Sequence, residues 1–186
     1  MHIIVLLVVA IFSLQSRSAR ADEVFWSTKE LLADFFKTSQ KVSFVRLDAR
    51  AHRGVLMAKL GGSVLKDEYV VFVARTGEHI DGYALIDEEL GQHQPITFAA
   101  RLSPDGKVER VEIMVYREGQ GGEVREERFR RQFVGKSGTD PLRLGQDVNA
   151  IAGATISSRS ISVGVRRAIA VVDLVRGDSE LIARKR

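Results

Sequence analysis

Residues 96–116 read ITFAARLSPDGKVERVEIMVY, and the class of fold follows from them. The apolar run Ile96–Leu102 and the alternating run Val108–Tyr116 flank Ser103–Lys107, whose Ser-Pro-Asp-Gly-Lys sequence is typical of a tight turn. Because side chains alternate along a strand, the second run should carry Val111, Ile113 and Val115 on one face and Glu112, Met114 and Tyr116 on the other. The stretch therefore predicts two antiparallel strands joined by a hairpin.

Further strands and helices are predicted on both sides of this hairpin. Residues 69–74 and His79–Ile86 are rich in β-branched and aromatic side chains and predict two more strands. Ser27 and Glu30 form a capping-box pattern, which predicts a helix reaching to about Thr38. Other helices are predicted at Ala51–Leu60, Glu123–Phe133 and Ser157–Arg176. The elements do not alternate as β-α-β units, so the sequence predicts one α+β domain with a mostly antiparallel sheet packed against helices.

The two later helices have predicted inner and outer faces. Phe129 and Phe133 lie four residues apart and should share an apolar face. The charges around them form exposed pairs at helical spacing, Glu126 with Arg130 and Glu127 with Arg131. In the last helix the inward residues are Ile161, Val165, Ala168, Ile169 and Val172, and the outward ones are Arg159, Arg166 and Arg167. The stretch Lys41–Arg50 has no clear period, and no element is predicted there.

Composition excludes several classes of function. The 186 residues include no cysteine, which rules out disulfides, thiolate metal sites, iron–sulfur clusters and cysteine nucleophiles. The four histidines have no metal-binding spacing, so no metal site is predicted. The formal net charge is +4, and it falls to +2 without residues 1–21, because that segment holds Arg17 and Arg20 and no acid. This near balance, without a basic stripe among aromatic residues, argues against a nucleic-acid partner.

The first 21 residues have the pattern of an export signal. Ile3–Leu14 is an apolar run of twelve residues, which is shorter than the roughly 20 residues that span a bilayer. Ala19-Arg20-Ala21 then offers small residues at the two positions that a signal peptidase reads. We predict a signal peptide at 1–21, with an uncleaved anchor as the alternative, because only the amino terminus and His2 precede the apolar run as positive charge. Either outcome places the domain 22–186 outside the cytoplasm, in the bacterial periplasm.

The stretch Asp147–Ser158, with the sequence DVNAIAGATISS, is the candidate functional site. Small residues let a backbone approach a ligand closely, and the free N–H groups at a helix start favour a phosphate. Thr155, Ser157 and Ser158 add hydroxyl groups at that point. The same pattern is also typical of a helix whose N-cap is Thr155 or Ser157, with no ligand at all.

Gly153-Ala154-Thr155-Ile156-Ser157-Ser158, preceded by Ala150-Ile151, resembles the flavinylation motif of the FMN-binding domain family. That family includes the C subunit of the sodium-translocating NADH:quinone reductase and the G subunit of the Rnf complex. Other landmarks follow the family's order: Gly82-Tyr83, the Ser103–Lys107 turn, Tyr116-Arg117-Glu118 with Gly121, and Gln132-Phe133. The resemblance covers about Asp81 to Asp173. It implies FMN joined through its phosphate to Thr155, by a phosphoester bond that a separate Mg-dependent flavin transferase makes from FAD.

The resemblance also implies a set of cofactor-binding residues. Besides Thr155, they are Gly153, Ala154, Ser157, Ser158 and Asn149. Candidates for the pocket wall are Glu118, Gly119, Gly121, Gly82 and Tyr83. Two positions depart from the family pattern, which has Asp where this chain has Asn149 and Ser or Thr where it has Ala152. No catalytic residue is predicted, because no Ser-His-Asp or paired-carboxylate arrangement is present.

Three functions are compatible with these observations. The first is an extracytoplasmic electron carrier with covalent FMN, which passes electrons between a membrane redox partner and an acceptor. The second is a reductase that binds FMN without a covalent bond and has its own substrate. The third is a binding or assembly module in which the flavin site has degenerated. No dinucleotide-binding fingerprint is present, which argues against NAD(P)H as a direct electron donor.

Overall fold

Six strands form one antiparallel sheet at the centre of the structure, a computed structural model that describes residues 22–61 and 66–183. The strands are β1 (Glu23–Val24), β2 (Lys41–Asp48), β3 (Glu68–Thr76), β4 (His79–Leu90), β5 (Pro95–Leu102) and β6 (Val108–Tyr116). Their order across the sheet is β1-β6-β5-β4-β3-β2, so all neighbours except β1 and β6 are consecutive in the chain. The hairpin predicted from the central stretch is confirmed as β5 and β6.

The described residues also form five α-helices, which cover both faces of the sheet. They are α1 (Thr28–Phe35), α2 (Arg53–Leu60), α3 (Glu127–Arg130), α4 (Thr155–Gly177) and α5 (Ser179–Ala183). The long helix α4 crosses β3, β4 and β5 on one face, and α2 packs beside it. The prediction of a single α+β domain with an antiparallel sheet is therefore confirmed. The predictions for residues 1–21 lie outside the described residues.

Each face of the sheet buries its own apolar cluster. On one face, Leu31 and Phe35 of α1 lie against the alanines of three strands, Ala74, Ala84 and Ala99. On the other face, Phe98 is buried beneath α4. The residues of α4 in this second cluster include the five predicted to face inward, Ile161, Val165, Ala168, Ile169 and Val172. The packing of these apolar side chains against the sheet fixes the position of α4.

The capping box of α1 is confirmed. The Ser27 hydroxyl accepts a hydrogen bond from the Glu30 N–H at 3.2 Å, and the Ser27 N–H donates to the Glu30 carboxylate at 3.1 Å. The helix ends at Phe35, three residues before the predicted end. Helix α2 begins two residues later than predicted and ends as predicted at Leu60, where Gly61 takes the left-handed conformation, with φ of 68°.

A β-bulge in β6 corrects the predicted alternation of that strand. Thr97 of β5 pairs with Val115, but the next residue, Phe98, pairs with Ile113, so Met114 is the extra residue. Met114 and Val115 therefore both lie on the α1 face, and Tyr116 lies on the α4 face with Ile113. The prediction that Val115 shares a face with Ile113 was wrong, because periodicity does not reveal an inserted residue. The bulge turns Tyr116 toward the start of α4.

The stretch without a predicted element forms β2, an edge strand. Val45 and Leu47 are buried, whereas Val42 and Phe44 remain 39% and 36% exposed. The strand pairs with β3 alone, as expected at an edge. Apolar side chains on both of its faces obscure the period of two, which explains why no strand pattern is visible in this stretch.

The predicted helix Glu123–Phe133 is broken in the structure. Gly122–Arg125 and Arg131–Phe133 are 3-10 turns around the single turn of α3, and Glu126 between them is extended, with ψ of 137°. Phe129 and Phe133 are both buried, as predicted, with their ring planes at 82°. Arg130 is not part of a solvated face, because it forms an ion pair with the buried Glu112 and donates to the Val111 carbonyl at 3.0 Å.

Arg167 also contradicts the predicted outer face of α4. Its side chain is 3% exposed and donates to the Asp87 carboxylate at 2.7 Å, with a second ion pair to Glu89. It also donates to the Glu88 carbonyl at 3.0 Å. Arg159 and Arg166 are the more exposed residues of the three. Helical periodicity placed Arg167 on the outward face, and it could not reveal the acids of β4 that pair with this residue, because they lie about 80 positions earlier in the sequence.

Candidate functional site

Thr155 is the first residue of α4, and its side chain is exposed. The N-cap is Ala154, whose side chain makes no capping hydrogen bond, so neither Thr155 nor Ser157 acts as the cap. Within the described part of the chain, no acceptor binds the N–H groups of Thr155, Ile156 or Ser157. The N-terminus of this 23-residue helix therefore presents free donors and a positive dipole end beside a free hydroxyl group.

The residues before α4 form a tight turn that is fixed by a serine of the helix. The Ala154 N–H donates to the Ile151 carbonyl at 2.9 Å, and Gly153 is left-handed, with φ of 81°. Ser158 is fully buried, and its hydroxyl accepts from the Ile151 N–H at 3.3 Å. Gly153 and Ser158 thus shape the backbone that presents Thr155.

Ser157 lines a pocket next to Thr155 and contacts Tyr116 behind it. Their hydroxyl groups lie 3.0 Å apart, and the Tyr116 hydroxyl also donates to the Gln120 carbonyl. Burial raises the pKa of Tyr116 although the Ser157 contact lowers it, so the phenol stays protonated at neutral pH. A Cβ at Gly121 would lie 2.6 Å from the Ser157 hydroxyl and 2.8 Å from that of Tyr116, and Gly121 is left-handed, with φ of 86°. Only glycine satisfies both conditions at this position.

The pocket has a volume of about 210 Å³. It is lined by Gln92, Gln120, Gly121 and the segment 153–157. Pockets that enclose a small organic ligand usually measure about 300–1,000 Å³, so this one can hold a phosphate and part of a chain but not a large ring system. A wider cleft of about 510 Å³ borders the preceding residues 149–152, and Phe129 and Gln132 form its opposite wall.

The segment of the chain that contains this site is similar in sequence to known proteins. Residues 91–170 match the FMN-binding domain family. This match contains the Thr155 turn and the β5–β6 hairpin, and it confirms the resemblance inferred from the Gly-Ala-Thr motif.

A curated relative of this chain is the G subunit of the proton-translocating ferredoxin:NAD(+) oxidoreductase complex of Clostridium ljungdahlii. It is 30% identical over 114 residues, which cover 57% of this chain. The chain spans 61% of the length of that relative.

Glu118, a candidate for the pocket wall, holds a neighbouring turn in place. Its carboxylate accepts from the N–H groups of His93 and Gln94, at 2.6 and 2.9 Å. Burial alone would raise the pKa of Glu118, but these backbone donors lower it below the usual value. Glu118 therefore acts on the pocket beside Thr155 through the turn that carries Gln92, which lines that pocket. Gly119 is exposed and outside the pocket lining.

Gly82 and Tyr83 lie away from Thr155, at the opposite end of α4. Both are at the start of β4, whereas the end of that strand, Leu90, accepts a hydrogen bond from Ser160 in the first turns of the helix. Tyr83 is 3% exposed in the apolar cluster, and a Cβ at Gly82 would lie 2.7 Å from the Leu102 carbonyl. The structure does not bring these two residues to the pocket beside Thr155. They contribute to the packing of the sheet and do not form part of the pocket wall.

Asn149 and Asp147 have different roles from the acid of the family motif. The backbone of Asn149 is held by the Gln132 side chain, through contacts of 2.8 and 3.2 Å. The Asp147 carboxylate accepts from the Arg143 N–H at 2.8 Å, from the Leu142 N–H at 3.1 Å and from Lys136 at 2.9 Å. Asp147 is therefore engaged by the loop that precedes the turn before α4 and does not replace the acid missing at Asn149.

We expect Asp147 to stabilise the protein in a pH-dependent manner. Burial alone would raise its pKa, but the Arg143 and Leu142 N–H groups and Lys136 lower it below the usual value. A depressed pKa gives stability that is complete above the unfolded-state value of about 4 and is lost as pH falls through the folded-state value. Asp147→Asn should lower the free energy of unfolding by about 1–3 kcal/mol at pH 7, and less below about pH 4, as measured by urea denaturation.

The control for this prediction is Asp67→Asn. Asp67 is a largely exposed carboxylate that pairs with Arg53, and its removal should change stability by less than about 1 kcal/mol. An equal loss in both variants, or a loss for Asp147→Asn that does not shrink in acid, would contradict the role given to Asp147.

Proposed function

We propose that this chain is an extracytoplasmic electron carrier that holds FMN through a phosphoester bond to Thr155 and serves a membrane redox complex. The observation that carries the proposal is the exposed Thr155 hydroxyl at the uncapped N-terminus of α4, inside a segment that matches the FMN-binding domain family. Thr155 has no competing role within the described structure, since its hydroxyl makes no hydrogen bond there. A free nucleophilic oxygen is what attachment requires.

The residues present suit a phosphate at this position. The free N–H groups of Thr155, Ile156 and Ser157 can donate to phosphate oxygens, and the positive end of the helix dipole favours the negative charge. In the attachment step the Thr155 oxygen forms a bond to the FMN phosphorus of FAD, and the pyrophosphate P–O bond breaks. AMP leaves with the bridging oxygen, and the threonine proton passes to solvent. We assign this step to a separate flavin transferase.

The side chains beside Thr155 can hold the remainder of the cofactor. Gln92 and Gln120 offer polar groups in the small pocket, and Ser157, whose hydroxyl contacts that of Tyr116, also lines it. Ile156 is 49% exposed and Leu90 is 63% exposed at the same end of α4. Ile156, the neighbour of Thr155 in the chain, and Leu90, near the same helix end, are suited to lie against a flat ring that the pocket is too small to enclose.

Bound FMN supplies reversible transfer of one or two electrons, and the protein tunes its potential through contacts around the ring. The name of the Clostridium ljungdahlii relative describes part of a redox complex, which supports a membrane redox partner for this chain too. None of the helices within 22–61 and 66–183 has the length and apolar character needed to cross a bilayer. We propose that export by residues 1–21 brings the domain to its partner.

Intact mass spectrometry tests this function. The full chain is exported in a host that expresses an active flavin transferase, and we expect an added mass of one FMN less one water, with flavin absorbance that remains after denaturation. A measured mass that lacks residues 1–21 would support cleavage of the signal peptide. FMN that is released by denaturation would favour the non-covalent reductase, and a colourless, unmodified protein would favour the binding module.

A further inference from the structure

Three arginines that have no acidic partner among the described residues line one pocket, and this pocket shares no lining residue with the one beside Thr155. Arg143, Arg159 and Arg166 border a cavity of about 360 Å³ between the end of α2, the loop after Pro141 and the outer side of α4. Other arginines of the chain are paired, for example Arg46 with Glu68 and Arg53 with Asp67. The described residues that line this cavity include no acid.

Arg166 is the most constrained of the three. Its guanidinium donates to the Leu60 carbonyl at 3.2 Å and weakly to the Pro141 carbonyl at 3.5 Å. The Nε atom is buried and has no hydrogen-bond partner in the described structure. Burial lowers the pKa of Arg166, and the neighbouring charge of Arg143 lowers it further. A partly buried cation with an unused donor and a like charge beside it is stabilised when an anion binds.

The backbone that presents Arg143 is held in an unusual conformation. Leu142 has φ of 49°, which a leucine rarely adopts, and its side chain is 2% exposed. The Asp147 carboxylate maintains this turn, because it accepts from the N–H groups of both Leu142 and Arg143. Lys136 neutralises Asp147 at 2.9 Å, so this acid is engaged with another cation and with backbone donors. The strained turn thus places the Arg143 charge next to that of Arg166.

We propose that this arginine pocket binds a phosphate ester. Guanidinium groups match the geometry of phosphate oxygens and form two hydrogen bonds to them at once. Ser162 adds a hydroxyl group, and Leu60, Leu144 and Val163 supply apolar walls that suit the organic part of an ester. The volume lies within the range of pockets that take small organic ligands, about 300–1,000 Å³. The pocket is separate from the flavin site, since its lining does not include Thr155.

Titration with inorganic phosphate tests this proposal, with binding followed by calorimetry in a phosphate-free buffer. We expect saturable binding whose Kd rises about tenfold or more in Arg143→Gln and in Arg166→Gln. Arg46→Gln is the matched control, because it removes the same charge from the edge strand and should leave Kd within about twofold. Arg143 is exposed, so its variant keeps the test valid if Arg166→Gln does not fold.

A second arm separates the two sources of a phosphate ester. Vesicles of phosphatidylglycerol, compared with vesicles of phosphatidylcholine, report binding of a lipid headgroup. If the protein is retained on phosphatidylglycerol vesicles alone, and Arg143→Gln abolishes this retention, the ligand is a membrane lipid. If the protein binds inorganic phosphate but is not retained on the vesicles, the ligand is a soluble phosphate ester. The proposal is overturned if neither binds, if Arg46→Gln weakens binding as much as Arg143→Gln does, or if loading FMN on Thr155 abolishes phosphate binding.

Discussion

Thr155→Val is expected to abolish covalent flavin completely while leaving the fold intact. Valine has nearly the shape of threonine and lacks the oxygen that the phosphoester needs. The Thr155 side chain is exposed and makes no hydrogen bond in the described structure, so the free energy of unfolding should change by less than about 0.5 kcal/mol. The two measurements are the intact mass after expression with an active flavin transferase and the urea midpoint of the same sample.

Thr28→Val is the matched control for this prediction. Thr28 is also the first residue of a helix, α1, and it is exposed. The variant should carry as much flavin as the unaltered chain, because no Gly-Ala precedes Thr28 and a capping serine occupies its N-cap. A flavin adduct that persists in Thr155→Val, or one lost equally in Thr28→Val, would show that attachment is elsewhere.

The largest expected loss of stability follows from removing Arg167. Arg167→Ala leaves the buried Asp87 and the partly buried Glu89 without the guanidinium that pairs with both. Burial already raises the pKa of Glu89, although the Arg167 charge opposes this, so the loss of the cation further disfavours its ionised form. Breaking a buried ion pair at one partner costs about 3–5 kcal/mol, and we expect a decrease of that size in the free energy of unfolding. Urea denaturation at pH 7 measures it.

Arg159→Ala provides the comparison on the same helix. Arg159 is exposed and forms no ion pair with the described residues, so its removal should change stability by less than about 0.5 kcal/mol. Lys66 lies 2.6 Å from Asp87 and still provides this carboxylate with a cationic partner when Arg167 is removed. A decrease below about 1 kcal/mol in Arg167→Ala would mean that Lys66 and solvent replace the lost partner.

Local signals in the sequence predicted the elements with clear boundaries. The capping box at Ser27, the hairpin at Ser103–Lys107 and the apolar stripe of the last helix depend on residues close together in the chain, and all three are confirmed. The last helix was predicted to begin at Ser157, but it begins two residues earlier, at Thr155.

Contacts between residues that are far apart in the sequence could not be predicted from such local signals. The Met114 bulge depends on the pairing of β5 with β6, and it determines that Tyr116 reaches Ser157. Gln92 and Gln120 come to the pocket from turns that precede Thr155 by 63 and 35 positions in the printed sequence. Composition and periodicity carry no information about these long-range contacts. For the same reason, the ion pairs of Arg167 with the acids of β4 were not predicted.

The order of the elements along the chain determines when the proposed flavin site can form. Strands β3 to β6 are joined by short turns, so these hairpins can close at low entropic cost, whereas β2 reaches β3 through the segment that contains α2. The helix that begins at Thr155 comes after all of them and needs the finished sheet as its support. The Thr155 oxygen, the proposed attachment point, therefore reaches its pocket only after the sheet has formed. An enzyme that recognises this pocket would add flavin to folded chains and leave incomplete ones unmodified.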